Sequence, residues 1–371
     1  MDISEEKFDV LDSVHVSGFR ILKDSGEFYQ RIKFLMQNST SVCIASLFFG
    51  KNGEMEDIID ILEERKRKNL MTIIFIDKNR GTVFESLESI KRRGLGSFFH
   101  LVDLSTSFLL PRRLNELLRT FHTKALVFDG LTILSGANMD ASYMTNRVDR
   151  YLEIDSRELA DMIRSRVFGI RPPLEAGKTI CQGLPVYVGM FKEKEEPAIV
   201  QSFLEDFDEI HISTGYLNFP ARYFKMLQGK KVSLYASCPD KNTFDSFGPL
   251  ERFIGPAYSY SFYRTLRSIS SLSIHELKRD GHSFHLKGFW GFKGRTAATI
   301  IGSSNFNRRS VERDDETNYL IITSDPDHVQ KLRTEVEYLK SNSEARTLKQ
   351  LRGRTYQLAV ILLFLIFNRF F

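Results

Sequence analysis

A short pattern occurs twice in this chain, as Phe121-His122-Thr123-Lys124 and as Phe284-His285-Leu286-Lys287, and each copy runs on to a Gly/Ser-rich turn ending in asparagine. The first leads to Ser135-Gly136-Ala137-Asn138 and then Asp149; the second leads to Gly302-Ser303-Ser304-Asn305 and then Glu316. Counted from Asn138 and from Asn305, the two acids fall at the same offset. The recurrence of His, Lys, Asn and acid in one order implies two similar halves that share one site. With 371 residues the chain is long enough for each half to bury its own core.

The pattern around the motifs alternates strand with helix. In the first half, residues 27–37 have helical spacing, 42–49 read as a strand, 54–68 as a helix and 71–77 as a strand. Residues 122–128 and 131–134 then read as a strand pair and 157–168 as a helix. The second half repeats the order, with helices over 197–207 and 221–227, strands over 209–214 and 232–237, a strand pair at 285–289 and 298–301, and a closing helix over 327–339. This predicts an α/β fold of two α/β/α halves, each with a mixed sheet. The Pro/Gly-containing stretch Arg171-Pro172-Pro173-Leu174-Glu175-Ala176-Gly177 is the natural break. The expected organisation is a first half over 1–170, a linker over 171–184, a second half over 185–345 and a basic-apolar tail over 346–371.

Alternate side chains on a strand share a face, which brings His122 to Lys124 and His285 to Lys287. A lysine and an asparagine amide hold the non-bridging oxygens of a phosphodiester while an imidazole attacks phosphorus. Two facing halves supply two imidazoles, one as nucleophile and one for proton transfer. Asp149 and Glu316 are then expected to bond an imidazole nitrogen and set its tautomer. Asp129 completes His-x-Lys-x-x-x-x-Asp and so joins His122, Lys124, His285 and Lys287 as a catalytic candidate, yet Asp129-Gly130 is also a type I′ hairpin signal. The second copy has Phe292 at that place and a turn at Lys293-Gly294, which favours the turn role for Asp129.

A net charge of +5 suits phosphate-bearing ligands or an anionic membrane better than extensive nucleic-acid wrapping, so no nucleic-acid partner is expected. Cys43, Cys181 and Cys238 are scattered, with no metal-ligand spacing, so metal-independent chemistry without a cofactor is expected. The acidic start, Met1 to Lys7, resembles neither a secretory signal nor a mitochondrial presequence. Near the other end, residues 358–367 are all apolar and follow Arg346, Lys349, Arg352 and Arg354. That run is short for a span and suits an interfacial anchor on a phospholipid membrane, or a helix packed on the protein's own core.

At these motifs the chain resembles the phospholipase D superfamily, whose duplicated HxK motifs build one site across a pseudo-twofold interface. The stretches Ala45-Ser46-Leu47-Phe48-Phe49-Gly50, Ser142-Tyr143-Met144-Thr145-Asn146-Arg147-Val148-Asp149-Arg150-Tyr151 and Asn305-Phe306-Asn307-Arg308-Arg309-Ser310 are similar to eukaryotic-type phosphatidylglycerophosphate synthases. The resemblance implies a phospholipase D-like fold and transfer of a phosphatidyl group from CDP-diacylglycerol to glycerol 3-phosphate through a covalent phosphatidyl-histidine. His122 is the nucleophile by superfamily habit. Arg147, Arg150, Arg308, Arg309 and Arg313 are candidates to bind the acceptor phosphate. The family resemblance also implies the mitochondrial inner membrane, with another organelle membrane such as the ER as the alternative. The same apparatus would serve a phosphatidylserine synthase, a phospholipase D or a nuclease.

Overall fold

Seven strands stand in the same spatial order in both halves of the chain. The computed structural model describes residues 5–8, 10–80, 83–106, 109–171, 185–237, 254–269, 271–277, 281–354 and 361. The first sheet has seven strands, in the order Arg20–Ile21, Tyr151–Asp155, Leu131–Ser135, Ala125–Phe128, Ser41–Ser46, Met71–Asp77 and Phe99–Val102. The second follows the same order with Val186–Lys192, Thr317–Thr323, Thr296–Gly302, Gly288–Lys293, Glu209–Thr214, Val232–Ser237 and Leu272–Leu277. In each sheet the last three strands run parallel to one another and the others pair antiparallel. The expected mixed sheets and the duplication of the fold are therefore present.

The second sheet gains two outer strands that break the sequence order of the halves. Asp12–Val16 pairs antiparallel with Val186–Lys192, and Ser343–Arg346 pairs with Leu272–Leu277. Chain from both ends is thus woven into one sheet, which ties the halves together.

The helices are set by local signals. Asp24 caps Ser25–Asn38 by accepting from the Glu27 amide at 2.9 Å, and Phe28, Ile32, Leu35 and Met36 form its buried stripe. Ser156 caps Arg157–Phe168, which ends at Gly169 with φ 67°, a left-handed stop. Asp325 caps Pro326–Ser341. These last two helices lie in the layer between the sheets: Ile163 and Leu159 join Leu332, Val336 and inward residues of both sheets in one core. Two outer cores lie under the remaining helices, one per half. Burying one such Leu or Ile contributes about 1.5–3 kcal/mol. Sheets covered on both faces need apolar residues at successive positions, and every residue of Thr317–Thr323 is buried.

Residues 172–184, most of the expected linker, lie outside the described residues, as do Cys181, Cys238 and, apart from Ile361, the apolar run over 358–367. Cys43 is a buried free thiol whose pKa is pushed up by burial. Just before the run, Leu348–Arg354 forms a helix whose Leu351 is wholly buried in the second half's core. Among the described residues no helix is long and apolar enough to cross a membrane.

Candidate active site

The two histidine motifs are placed by backbone pairing across the halves. The His122 amide donates to the carbonyl of Asp315 at 2.9 Å, and the His285 amide donates to the carbonyl of Val148 at 2.9 Å. In each case the acceptor is the residue just before an acid of the other half. Ser283–Phe284 pairs in parallel with Arg147–Val148, and Phe121 forms the matching bridge to Asp315. Residues 122–124 and 285–287 are not themselves strand, because this pairing across the halves draws them out of the following hairpins. The lysines nonetheless fold back onto their histidines: Lys124 Nζ donates to the His122 carbonyl at 2.6 Å and Lys287 Nζ to that of His285 at 3.1 Å.

The acids are consequently exchanged. His122 Nδ1 lies 2.9 Å from Glu316, contributed by the second half, and His285 Nδ1 lies 2.7 Å from Asp149, contributed by the first. Each half is incomplete without the other. A Cβ on Gly136 would meet Lys287 Nζ at 2.9 Å, the Gly302 carbonyl at 3.1 Å and Asp149 Oδ1 at 3.2 Å, so only glycine lets the two asparagine turns abut here.

The electrostatics of the two pairs differ. Burial alone would raise the Glu316 carboxyl, but His122 and Lys124 beside it hold it at about 2. Burial raises Asp149 despite the opposing charge of Lys287. Both imidazoles are pushed down by burial; Glu316 partly restores His122, whereas Lys287, Arg147 and Lys124 press His285 down further. Lys287 Nζ lies 2.8 Å from Nδ1 and 3.2 Å from Nε2 of His285, so it acts on the ring as a charge rather than along one in-plane lone pair. Burial brings Lys287 itself down to about 8 and also depresses Lys124. Two imidazoles, two ammonium groups and two carboxylates so placed suit attack on, and charge stabilisation of, a phosphodiester.

The asparagines are not equivalent. Asn138 is fully engaged: its Oδ1 accepts from the Leu47 amide at 3.2 Å and its Nδ2 donates to the Tyr143 hydroxyl at 2.9 Å. Asn305 is buried with Oδ1 lacking a hydrogen-bond partner among the described residues, beside Gly215 and His285. Asn305 thus keeps its side-chain oxygen, an acceptor, for an incoming O–H or N–H donor.

Asp129 stands at the turn between Ala125–Phe128 and Leu131–Ser135 with its carboxylate engaged there. It has φ 48°, and its carboxylate accepts from the Thr40 amide at 3.0 Å, the Thr40 hydroxyl at 2.7 Å and the Ser41 amide at 2.8 Å. Gly130 does not take a positive φ, so the expected type I′ turn is not the one formed. In the second half the hairpin is longer: Lys293 pairs with Thr296 across Gly294-Arg295, which leaves Phe292 inside the strand, paired with Ala297. We expect Asp129→Ala to retain full turnover while losing about 2 kcal/mol of stability, measured by denaturant midpoint alongside rate. A collapse of turnover in a stable protein would return Asp129 to the catalytic set.

The arginines separate. Arg147 lies at the site, with its guanidinium 4.5 Å from the Tyr143 ring centroid and Nε donating to Ser283 at 3.2 Å. Arg150 does not reach the site: it is buried between the halves, paired with Glu335 at 2.6 Å and 4.1 Å over Trp290. Arg309 is spent on Asp314, the Glu116 carbonyl and Thr120. Arg308 pairs with Glu312 one turn along its helix, and Arg313 is half-buried.

Two aromatic residues at the site were not singled out by the motif. The Tyr143 hydroxyl is 3.1 Å from His285 Nε2, and the Tyr216 ring stands edge-on to His285 at 6.3 Å. Neither has a His, Lys or acid beside it in sequence that marks it as functional; Tyr143 stood in the most family-specific stretch, which was the available signal.

The chain's relatives agree with the resemblance read from these motifs. A mitochondrial CDP-diacylglycerol–glycerol-3-phosphate 3-phosphatidyltransferase of Gallus gallus is 26% identical, with 89% of this chain and 78% of the relative covered. The Saccharomyces cerevisiae enzyme of the same activity is 25% identical over 90% of this chain and 84% of its own length. Among solved structures, phosphatidylserine synthase of Haemophilus influenzae superposes with a TM-score of 0.78 at 18% identity, covering 100% of this chain and 98% of that one, which shows the shared fold. No family model matches the chain.

Proposed function

We propose that the chain transfers a phosphatidyl group from CDP-diacylglycerol to sn-glycerol 3-phosphate, giving phosphatidylglycerophosphate and CMP through a phosphatidyl-His122 intermediate. The observation that carries the chemistry is the exchanged pairing of His122 with Glu316 and of His285 with Asp149. The acceptor is inferred from the near full-length relatives whose names specify it.

Glu316 stays ionised and accepts a hydrogen bond from His122 Nδ1–H, which leaves the lone pair on Nε2. That lone pair forms an N–P bond to the diacylglycerol-bearing phosphorus, and the P–O bond to CMP breaks. CMP departs with the bonding electrons as a phosphate anion, so charge from Lys124 and Lys287 serves it and no proton is required. The phosphorylated imidazole carries positive charge, which Glu316 balances. The glycerol 3-phosphate hydroxyl then attacks phosphorus, its proton passes to neutral His285, and the N–P bond returns its electrons to His122. Arg147, which lies over the Tyr143 ring beside His285, would read the acceptor phosphate, and the unpartnered Asn305 Oδ1 would accept from a hydroxyl of the acceptor. Work in the mitochondrion is inferred from the relatives' names, and work at a membrane surface from the lipid substrate.

Purified protein given CDP-diacylglycerol with glycerol 3-phosphate, serine or water is expected to form lipid product rapidly with the first alone. Comparable turnover with serine would replace this function by that of the structurally similar phosphatidylserine synthase, and cleavage of DNA or RNA without lipid transfer would place the chain among nucleases.

A further inference from the structure

A directed chain of hydrogen bonds ends on His285 and, among the described residues, has no counterpart on His122. It starts at a backbone N–H, which can only donate: the Leu47 amide to Asn138 Oδ1 at 3.2 Å. That contact orients the side-chain amide, so Asn138 Nδ2 donates to the Tyr143 oxygen at 2.9 Å. With its oxygen accepting, the Tyr143 hydroxyl proton points onward to His285 Nε2 at 3.1 Å, and His285 Nδ1 faces Asp149 at 2.7 Å. His285 is thereby fixed as the Nδ1–H tautomer with its Nε2 lone pair occupied.

Tyr143 is built for this place. It is 1% exposed, on the short helix Ala141–Thr145 capped by Asp140, and its ring stands edge-on to His285 with centroids 4.9 Å apart. Its carbonyl accepts from the Tyr151 hydroxyl at 3.1 Å, and Arg147 covers the ring. Burial lifts the phenol to about 12, which keeps it a donor at working pH. Counted from the asparagine, the matching residue of the second half is Ser310, whose hydroxyl accepts from the backbone N–H of Asn305 at 3.2 Å and whose side chain is too short to act as Tyr143 does.

Resting on the function proposed above, we infer that Tyr143 is a positioning residue that divides labour between the imidazoles: it occupies Nε2 of His285, reserving that ring for proton transfer and leaving attack on phosphorus to His122. The distinction is chemical. For His285 to attack phosphorus, Nε2 would surrender a buried hydrogen bond and gain none in return. As a base in the second step it exchanges one O–H donor for another, because the acceptor's hydroxyl takes the phenol's place on the same lone pair. The proton then moves from that hydroxyl to Nε2 as its oxygen bonds to phosphorus.

The test is the pH dependence of kcat/KM for glycerol 3-phosphate. A phenol donating to neutral His285 favours the neutral ring, so Tyr143→Phe should move the acid limb to higher pH, by about half to one unit for a single hydrogen bond. The value of kcat/KM for CDP-diacylglycerol, which reports the first half-reaction alone, should be unchanged. Replacing Tyr143 by 3,5-difluorotyrosine, a stronger donor of nearly the same shape, should move the limb to lower pH, and it decides the matter even if the Phe variant folds poorly. The other charged groups acting on His285, namely Asp149, Lys287, Arg147, Lys124 and His122, are unaltered in both proteins, as is the nearby Tyr216. A merely structural role would lower the rate without moving the limb. An active enzyme whose limb stays in place, or moves the same way in both variants, overturns this inference alone. Absence of transfer by the unaltered enzyme overturns the functional proposal and this inference with it.

Discussion

Replacing His122 by alanine is expected to lower phosphatidyl transfer by roughly 10⁴-fold or more, the usual effect of removing a nucleophile from a coupled catalytic set. The expectation rests on an asymmetry between the rings. His122 keeps its Nδ1 on an ionised Glu316, which can balance the charge of a phosphorylated imidazole, whereas His285 has Tyr143 on its second nitrogen. The two half-reactions separate the roles. Enzyme incubated with CDP-diacylglycerol labelled in the diacylglycerol-linked phosphate, without acceptor, should retain label on the protein after quenching at alkaline pH, where phosphohistidine survives. His122→Ala should lose the label. His285→Ala should still take it up and then release it slowly to glycerol 3-phosphate, because only deprotonation of the acceptor is impaired. Label retained by His122→Ala and lost by His285→Ala would reverse the assignment.

Much of this architecture was legible in the chain because each half repeats it. Strands at Met71–Asp77, Glu209–Thr214 and Val232–Ser237 and the helices Arg157–Phe168 and Ala221–Leu227 fall where periodicity and flanking turn residues put them. Strands such as Tyr151–Asp155, Val186–Lys192 and Thr317–Thr323 were not picked out, since their apolar positions lack the alternation of a half-exposed strand. The matched offset of Asp149 and Glu316 located both acids. It could not say which histidine each serves, because that depends on backbone pairing between the halves, and each acid crosses to the other half's ring. Tyr143 escaped for a related reason: a search built on what the copies share passes over the residue by which they differ.

Arg150 shows the limit of reading arginines near a motif as ligands for phosphate, and its loss should be felt in folding rather than in acceptor binding. Its guanidinium is 1% exposed and bridges the halves: it pairs with Glu335, donates to the Ile300 carbonyl at 3.1 Å and covers Trp290, whose indole N–H also bonds Glu335 at 2.9 Å. Arg150→Met leaves the largely buried Glu335 carboxylate with the Trp290 indole N–H as its remaining donor in this cluster and should cost about 3–5 kcal/mol. The double change Arg150→Met with Glu335→Leu should recover much of that loss, since a packed apolar pair removes the uncompensated charge along with its partner. Denaturant midpoints of the single and double variants check the stability, and KM for glycerol 3-phosphate checks the alternative. A single variant of normal stability but sharply raised KM would return Arg150 to the substrate pocket. The geometry predicts the opposite pattern, because the side chain that follows Asp149 in sequence points away from His285 into the layer where the two sheets meet.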